Sequence, residues 1–234
     1  MRYVCSAVLG LALTLIVSGG CGSKSDDGPE SATAAINGSE TQEKKDLAPA
    51  GGDARGGKPA PSADALHPVV VLDTSLGEIK IVLDKERAPQ TVDNFLAYVA
   101  GGFYDQTIFH QVFKGYVLVG GGYTADLKEK TTHTPVYNEA RKAGKNRRGT
   151  IAMVRKPDVI DSATSQFLIN VADNPNLDFV DQTPANYGFC VFGTVSDESL
   201  AVIDKIAAVA VTDKRDFEKI PVESVVIKSV RRIK

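Results

Sequence analysis

The sequence predicts a mostly β protein, a closed eight-stranded antiparallel barrel with two capping helices. Three observations lead there. After His67 the chain breaks into about eight short apolar or alternating runs separated by turn residues. Only two stretches in that region carry a helical period. Nearly all the aromatic residues lie after position 66, so one segment holds the material for a core.

Taken in order, Val69 to Asp73 and Ile79 to Asp84 flank Thr74-Ser75-Leu76-Gly77-Glu78 and read as a hairpin, with Gly77 supplying a positive φ. Ala88-Pro89-Gln90-Thr91 then opens a helix. Pro89 suits its first turn, Val92, Phe95, Leu96 and Val99 fall on one face, and Gly101-Gly102 ends it. Further strands are expected over Thr107 to Val112, Tyr116 to Val119, Gly149 to Val154, Gln166 to Val171, Phe189 to Val195 and Val225 to Arg232. A second helix, Asp197 to Ala208, follows Ser196, whose hydroxyl is expected to cap it. Gly120 to Gly122 reads as a tight barrel bend, because no Lys-Ser or Lys-Thr follows to make a phosphate loop.

Upstream the chain has another character. Arg2 precedes an uncharged, mostly apolar run from Val4 to Val17, closed by Ser18, Gly19 and Gly20, which is the layout of a secretory signal over residues 1–20. The run is about 14 residues, short of the roughly 20 that a spanning helix needs. Cys21 directly after the small residues resembles a bacterial lipoprotein signal, which implies lipidation at Cys21 after cleavage before it; a plain secretory signal with an incidental cysteine is the alternative. Acyl chains contribute roughly 0.8 kcal/mol per buried methylene, enough in combination for stable anchoring. Residues 21–66 are rich in Gly, Ala, Ser, Pro, Asp and Lys with only Ile36, Leu47 and Leu66 as large apolar side chains, so a disordered linker is expected. Its root-mean-square reach is roughly 35–40 Å as a flexible coil. The folded domain is then 67–234.

The 234 residues carry 27 basic and 29 acidic side chains, and from His67 onward the counts are 21 and 21. No basic excess exists to neutralise a phosphate backbone, which excludes a general nucleic-acid binder. With three cysteines, one in the signal and one at the lipidation position, Cys190 has no partner and reads as a small core residue. His67, His110 and His133 lack ligand spacing, so no metal is expected. Lys145 to Arg148 reads as a solvated basic loop.

The order of motifs carries more. Phe103-Tyr104, Phe109-His110-Gln111-Val112-Phe113-Lys114-Gly115-Tyr116, Gly120-Gly121-Gly122, Gly149-Thr150-Ile151-Ala152-Met153, Ser165-Gln166-Phe167-Leu168-Ile169 and Val191-Phe192-Gly193 follow one another along the chain. The domain resembles the cyclophilin family of peptidyl-prolyl cis-trans isomerases, in particular its bacterial exported members. The resemblance implies a cyclophilin-like barrel with a groove for proline-containing peptides, no cofactor, and clients among exported proteins. Behind the signal at Cys21 it implies a lipid-anchored domain in the bacterial cell envelope, facing the periplasm or exterior.

It also locates the site and its departures. The family donor, an arginine in a Phe-His-Arg motif, is replaced by Gln111. Tyr116 stands for the phenylalanine that floors the proline pocket, Val117 for a methionine, Val119 for a glutamine, Leu168 for a second phenylalanine and Phe189 for a histidine. Leu177 and Gln166 match the family, whereas Asn176 replaces a large aromatic residue, often the tryptophan associated with cyclosporin binding. Arg155 is a candidate substitute donor, against the alternative of a solvated surface charge. The implied function is a prolyl isomerase of reduced activity; the alternative is a catalytically weak or inactive proline-peptide-binding or chaperone module on the same tether.

Overall fold

A computed structural model describes residues 62–233. The expected signal 1–20, the lipidation site Cys21 and residues 21–61 of the expected linker lie outside the described residues. Among the described residues no helix is long and apolar enough to cross a membrane.

A single helical turn, α1 (Ala63–Leu66), leads into β1 (Val69–Thr74), β2 (Gly77–Leu83) and α2 (Pro89–Ala100). There follow β3 (Thr107–Val112), β4 (Val117–Thr124), β5 (Thr150–Met153), β6 (Phe167–Asn170) and β7 (Val191–Val195). The chain ends with α3 (Leu200–Ala207), β8 (Val211–Lys214), β9 (Phe217–Pro221) and β10 (Val225–Ile233). Eight strands close in the order β1-β10-β3-β4-β6-β5-β7-β2, every neighbouring pair antiparallel, and β8 with β9 forms a separate two-stranded ribbon. The expected barrel is therefore the observed one. The β1–β2 hairpin is present too, with Gly77 at φ +135°.

Burial distinguishes two parts of the wall. In β2, Ile79, Ile81 and Leu83 point inward and are fully buried, while Glu78, Lys80 and Val82 face outward; this is the period-2 pattern of a strand with one wet face. In β3, β5 and β6 every residue is buried, so those strands are covered on both faces and read as continuous runs. Inside the barrel Phe95 of α2 lies 5.1 Å from Tyr104 and 5.1 Å from Phe192, ring centroid to centroid. Val92 and Val99 of α2 and Ile203 and Ile206 of α3 join the same interior cluster, which gives both capping helices their role.

Four local expectations need correction. Gly120 to Gly122 bends the chain inside a strand rather than between elements: it lies within β4, where Gly121 has φ +80° and the pairing with β3 shifts register. A Cβ on Gly121 would sit 2.7 Å from the Phe167 ring, and one on Gly122 would sit 2.6 Å from Gln166 Cγ, so these glycines admit side chains from neighbouring elements. Ser196 does not cap the second helix, because a 3₁₀ turn, Asp197–Ser199, intervenes and the Ser196 hydroxyl bonds Ser199 Oγ at 3.2 Å. The ribbon β8–β9 was not anticipated, since its polar stretch Asp213-Lys214-Arg215-Asp216 reads as a loop. Arg155 is neither an exposed charge nor a donor in reserve, as described below.

Capping of α2 also comes from a distance. Ala88 has no side-chain acceptor, and the Glu139 carboxylate accepts hydrogen bonds from the backbone N–H groups of Gln90 and Thr91 at 3.3 and 2.8 Å, and from the Thr91 hydroxyl at 2.8 Å. A carboxylate there satisfies orphan donors and meets the positive end of the helix.

Candidate active site

A second apolar cluster lies on the outer face of the doubly covered wall. Register defines its floor: Gln111 pairs with Val119, Val119 with Leu168, Leu168 with Ala152, and Ala152 with Val191. Directly opposed residues share a face, so this row runs across β3, β4, β6, β5 and β7. Val117, Phe113 and Leu177 join Val119, Leu168, Ala152 and Val191 in one buried group, separate from the interior, with Tyr116, Ala143, Val154 and Phe189 packed around it. Of the expected substrate-contacting residues, Tyr116, Val117, Leu168, Leu177 and Phe189 are thus brought together. Gln166 is half-buried, two positions before Leu168 on the same chain face, with its side chain laid against Gly122.

Gln111 reaches this face through a bulge. The pairing of β3 with β4 steps from Phe109↔Gly120 to Gln111↔Val119, so His110 and Gln111 together oppose one residue. Phe109 and Val112 both belong to the interior cluster, which leaves His110 and Gln111 on the outside. There the β8–β9 ribbon meets them. Gln111 is only 4 % exposed, and its Nε2 donates to the carbonyl of Glu218 at a long 3.4 Å. His110 packs edge-on against Tyr123 at 4.7 Å and Phe217 at 5.9 Å, and its Nδ1 has no partner among the described residues. Burial pushes its pKa down to about 3, only partly opposed by a backbone hydrogen bond, so it is a neutral ring at physiological pH.

Behind the floor runs a chain of buried amides. Asn170 donates to Asn146 Oδ1 at 3.2 Å and to the Thr150 hydroxyl at 2.9 Å, and accepts from Asn174 at 2.7 Å. Asn174 also donates to the Tyr116 carbonyl at 3.1 Å, and Asn146 to the Leu177 carbonyl at 2.9 Å. The amides therefore hold the backbone of two wall residues. Sequence reading missed this network, although its three asparagines at 146, 170 and 174 were its visible trace.

Arg155 serves the wall in another way. It is 6 % exposed, donating from Nε to the Gly188 carbonyl at 2.9 Å, from Nη1 to the carbonyls of Lys156 and Pro157 at 2.9 Å each, and from Nη2 to Pro184 at 2.5 Å. Its guanidinium lies 5.4 Å from the centroid of the Phe189 ring. Burial lowers its pKa, yet with four of its five N–H donors on backbone carbonyls it is a structural clamp on the loop that carries Phe189.

Cys190 is buried, with no disulfide partner among the described residues, and burial pushes its thiol up to about 12, so it stays protonated. Among the described residues no cluster of His, Cys, Asp or Glu could hold a metal ion.

Comparison with known proteins follows the same boundaries. The family model described as cyclophilin type peptidyl-prolyl cis-trans isomerase/CLD matches residues 69–232. The chain is 45 % identical over 165 residues to peptidyl-prolyl cis-trans isomerase A of Dickeya dadantii, covering 70 % of this chain and 84 % of that protein. It is 43 % identical over 162 residues to peptidyl-prolyl cis-trans isomerase B of Escherichia coli, covering 69 % and 98 %. In fold it is similar to a crystal structure of a Cryptosporidium parvum cyclophilin, with a TM-score of 0.56 at 23 % identity over 72 % of this chain and 98 % of the other.

Proposed function

The chain belongs to the cyclophilin-type peptidyl-prolyl cis-trans isomerase family, and from that premise we propose that it is a slow isomerase of proline-containing segments in exported proteins, held in the bacterial cell envelope by a lipid at Cys21. The reaction asks little of a protein. Resonance gives the peptide C–N link a barrier of roughly 18–20 kcal/mol, and rotation localises the lone pair of the imide nitrogen. A catalyst stabilises the twisted state by holding the proline in an apolar site and aiming a donor at that nitrogen. The half-buried Tyr116 and Phe189, packed on the buried floor of Val119, Leu168 and Ala152, supply the apolar surface, and the amide of Gln111 at one end of the same row is the donor.

The observation that carries reduced activity is the state of Gln111. Its amide is uncharged and is already shared with the Glu218 carbonyl. A charge-assisted hydrogen bond is roughly twice as strong as a neutral one. Losing about 1.5–3 kcal/mol in the transition state lowers the rate about ten- to more than a hundredfold. Arg155, held by four backbone carbonyls, does not replace it.

Gln111→Arg is expected to raise kcat/KM at least about tenfold for a proline tetrapeptide in a protease-coupled assay. An unchanged rate would sink the claim that Gln111 limits catalysis. If neither form turns the peptide over while both bind it, the chain acts as a proline-peptide-binding module. For the tether, the full chain expressed in a bacterium should incorporate labelled fatty acid, and Cys21→Ala should lose it; label retained in the variant removes Cys21 as the anchor.

A further inference from the structure

Two departures from the family touch each other. Asn176 Nδ2 donates to the Tyr116 hydroxyl at 2.9 Å, and the two residues stand where the resemblance places two aromatic side chains. Tyr116 is half-buried and Asn176 exposed, so the pair sits on the accessible rim of a site whose floor is buried.

Tyr116 is held at both ends by one segment. Its carbonyl accepts from Asn174 Nδ2 at 3.1 Å and from the Val171 N–H at 2.9 Å, while its hydroxyl is held from Asn176 in the 3₁₀ turn Pro175–Leu177. That turn is tied in turn to the site: the Leu177 carbonyl accepts from the Phe189 N–H at 2.9 Å and from Asn146. The ring and the amide are therefore pre-organised before any ligand arrives.

A phenol can donate once and accept twice, and a carboxamide has two donors and two lone pairs. With one Asn176 N–H given to the hydroxyl, the phenolic proton, the second Asn176 N–H and the Asn176 carbonyl have no partner among the described residues. Turning the amide by 180° exchanges the roles, and in either orientation two donors and at least one acceptor face outward, so a donor stands beside an acceptor both ways. Burial raises the pKa of Tyr116 further than the Asn176 contact lowers it, so the phenol keeps its proton. One donor beside one acceptor complements an amide group, which carries C=O and N–H together.

We propose that Tyr116 and Asn176 are specificity-determining residues of this isomerase site and recognise an amide group adjoining the substrate proline. This rests on the isomerase reading above. The amide can come from an Asn or Gln side chain or from the flanking peptide unit, and the test separates them. Dissociation constants of the full chain are measured by titration with two sets of prolyl peptides: Gln against Met on either side of the proline, and a flanking peptide bond against its ester. A side-chain source predicts a preference of about three- to tenfold for Gln, and a backbone source the same preference for the peptide bond over the ester. Tyr116→Phe and Asn176→Leu should each erase it, and the double variant should be no weaker than either single one, because the two act as a unit. Absence of both preferences in the parent chain, or a preference that survives both variants, overturns the proposal. A parent chain that binds no prolyl peptide at all overturns the isomerase-site reading itself, and this inference with it.

Discussion

Two stretches of one barrel wall share an interior but differ in what covers them. Along β2 the outward residues Glu78, Lys80 and Val82 meet solvent, and Val82 is 38 % exposed. Along β6 the outward Leu168 is fully buried, as is its inward neighbour Phe167. The wet wall needs apolar residues on one side only, whereas the covered wall needs them on both. The difference teaches where to look in this molecule: the second apolar cluster, on the outside, is the one the interior does not account for, and the departures from the family gather around it.

The contrast can be broken most directly by truncation. Leu168→Ala should cost about 2–5 kcal/mol of stability in urea unfolding, as for a core leucine, because a buried side chain leaves a cavity whichever face of the sheet it occupies. A loss under about 1 kcal/mol would show that the outer cluster is not packed as a core.

His110 adds a pH signature to the covered wall. Its folded pKa of about 3 lies below the unfolded value near 6.5, so the unfolded chain binds a proton that the folded chain refuses between those values. The stability this contributes is complete above about pH 6.5 and falls by about 1.4 kcal/mol per pH unit as the pH drops toward 3. His110→Phe, which keeps an aromatic ring between Tyr123 and Phe217, should flatten that slope between pH 6.5 and 4.5 in denaturant titrations. Residual acid sensitivity is expected from Asp126, Asp181 and Asp213, whose pKa values are lowered by local hydrogen bonds. A slope identical to the parent's would remove His110 as its source.

Next in size, Asn170→Ala should cost about 1–3 kcal/mol, because Asn146 and Asn174 each lose a buried partner. Its thermal midpoint against that of Asn176→Ala, on the exposed rim, measures the difference between the buried amide chain and the solvent-facing amide; equal midpoints would contradict it. The smallest effect belongs to the wet wall. Val82→Ala should change stability by no more than about 0.5 kcal/mol, and a larger loss would mean that β2 is covered after all.

Much of this architecture was legible in residue order. The β1–β2 hairpin, the Pro89 helix entry and the strands ending in Thr107 to Val112 and Val225 to Arg232 follow from turn chemistry and periodicity, which act within a few residues. The ribbon β8–β9 was not legible, because its residues Thr212 to Asp216 are polar and its pairing makes a strand out of what local propensity calls a loop. The candidate site was legible as a set of family positions but not as a surface. Tyr116, Leu168, Leu177 and Phe189 lie far apart in sequence, and only cross-strand register puts them in one cluster.

By itself the sequence determined the barrel, the two helices that close on it and the residue types at the site, because these depend on local pattern and on ordered motifs. Tertiary structure alone decided which of those residues face each other and which groups remain free. A bulge put His110 and Gln111 on one side of a strand, Glu139 from a distant loop capped α2, four carbonyls consumed Arg155, and Asn176 found Tyr116. The physical reason is that a buried polar group must find its partner wherever the closed chain brings one, and that depends on three-dimensional proximity, which spacing along the chain does not encode.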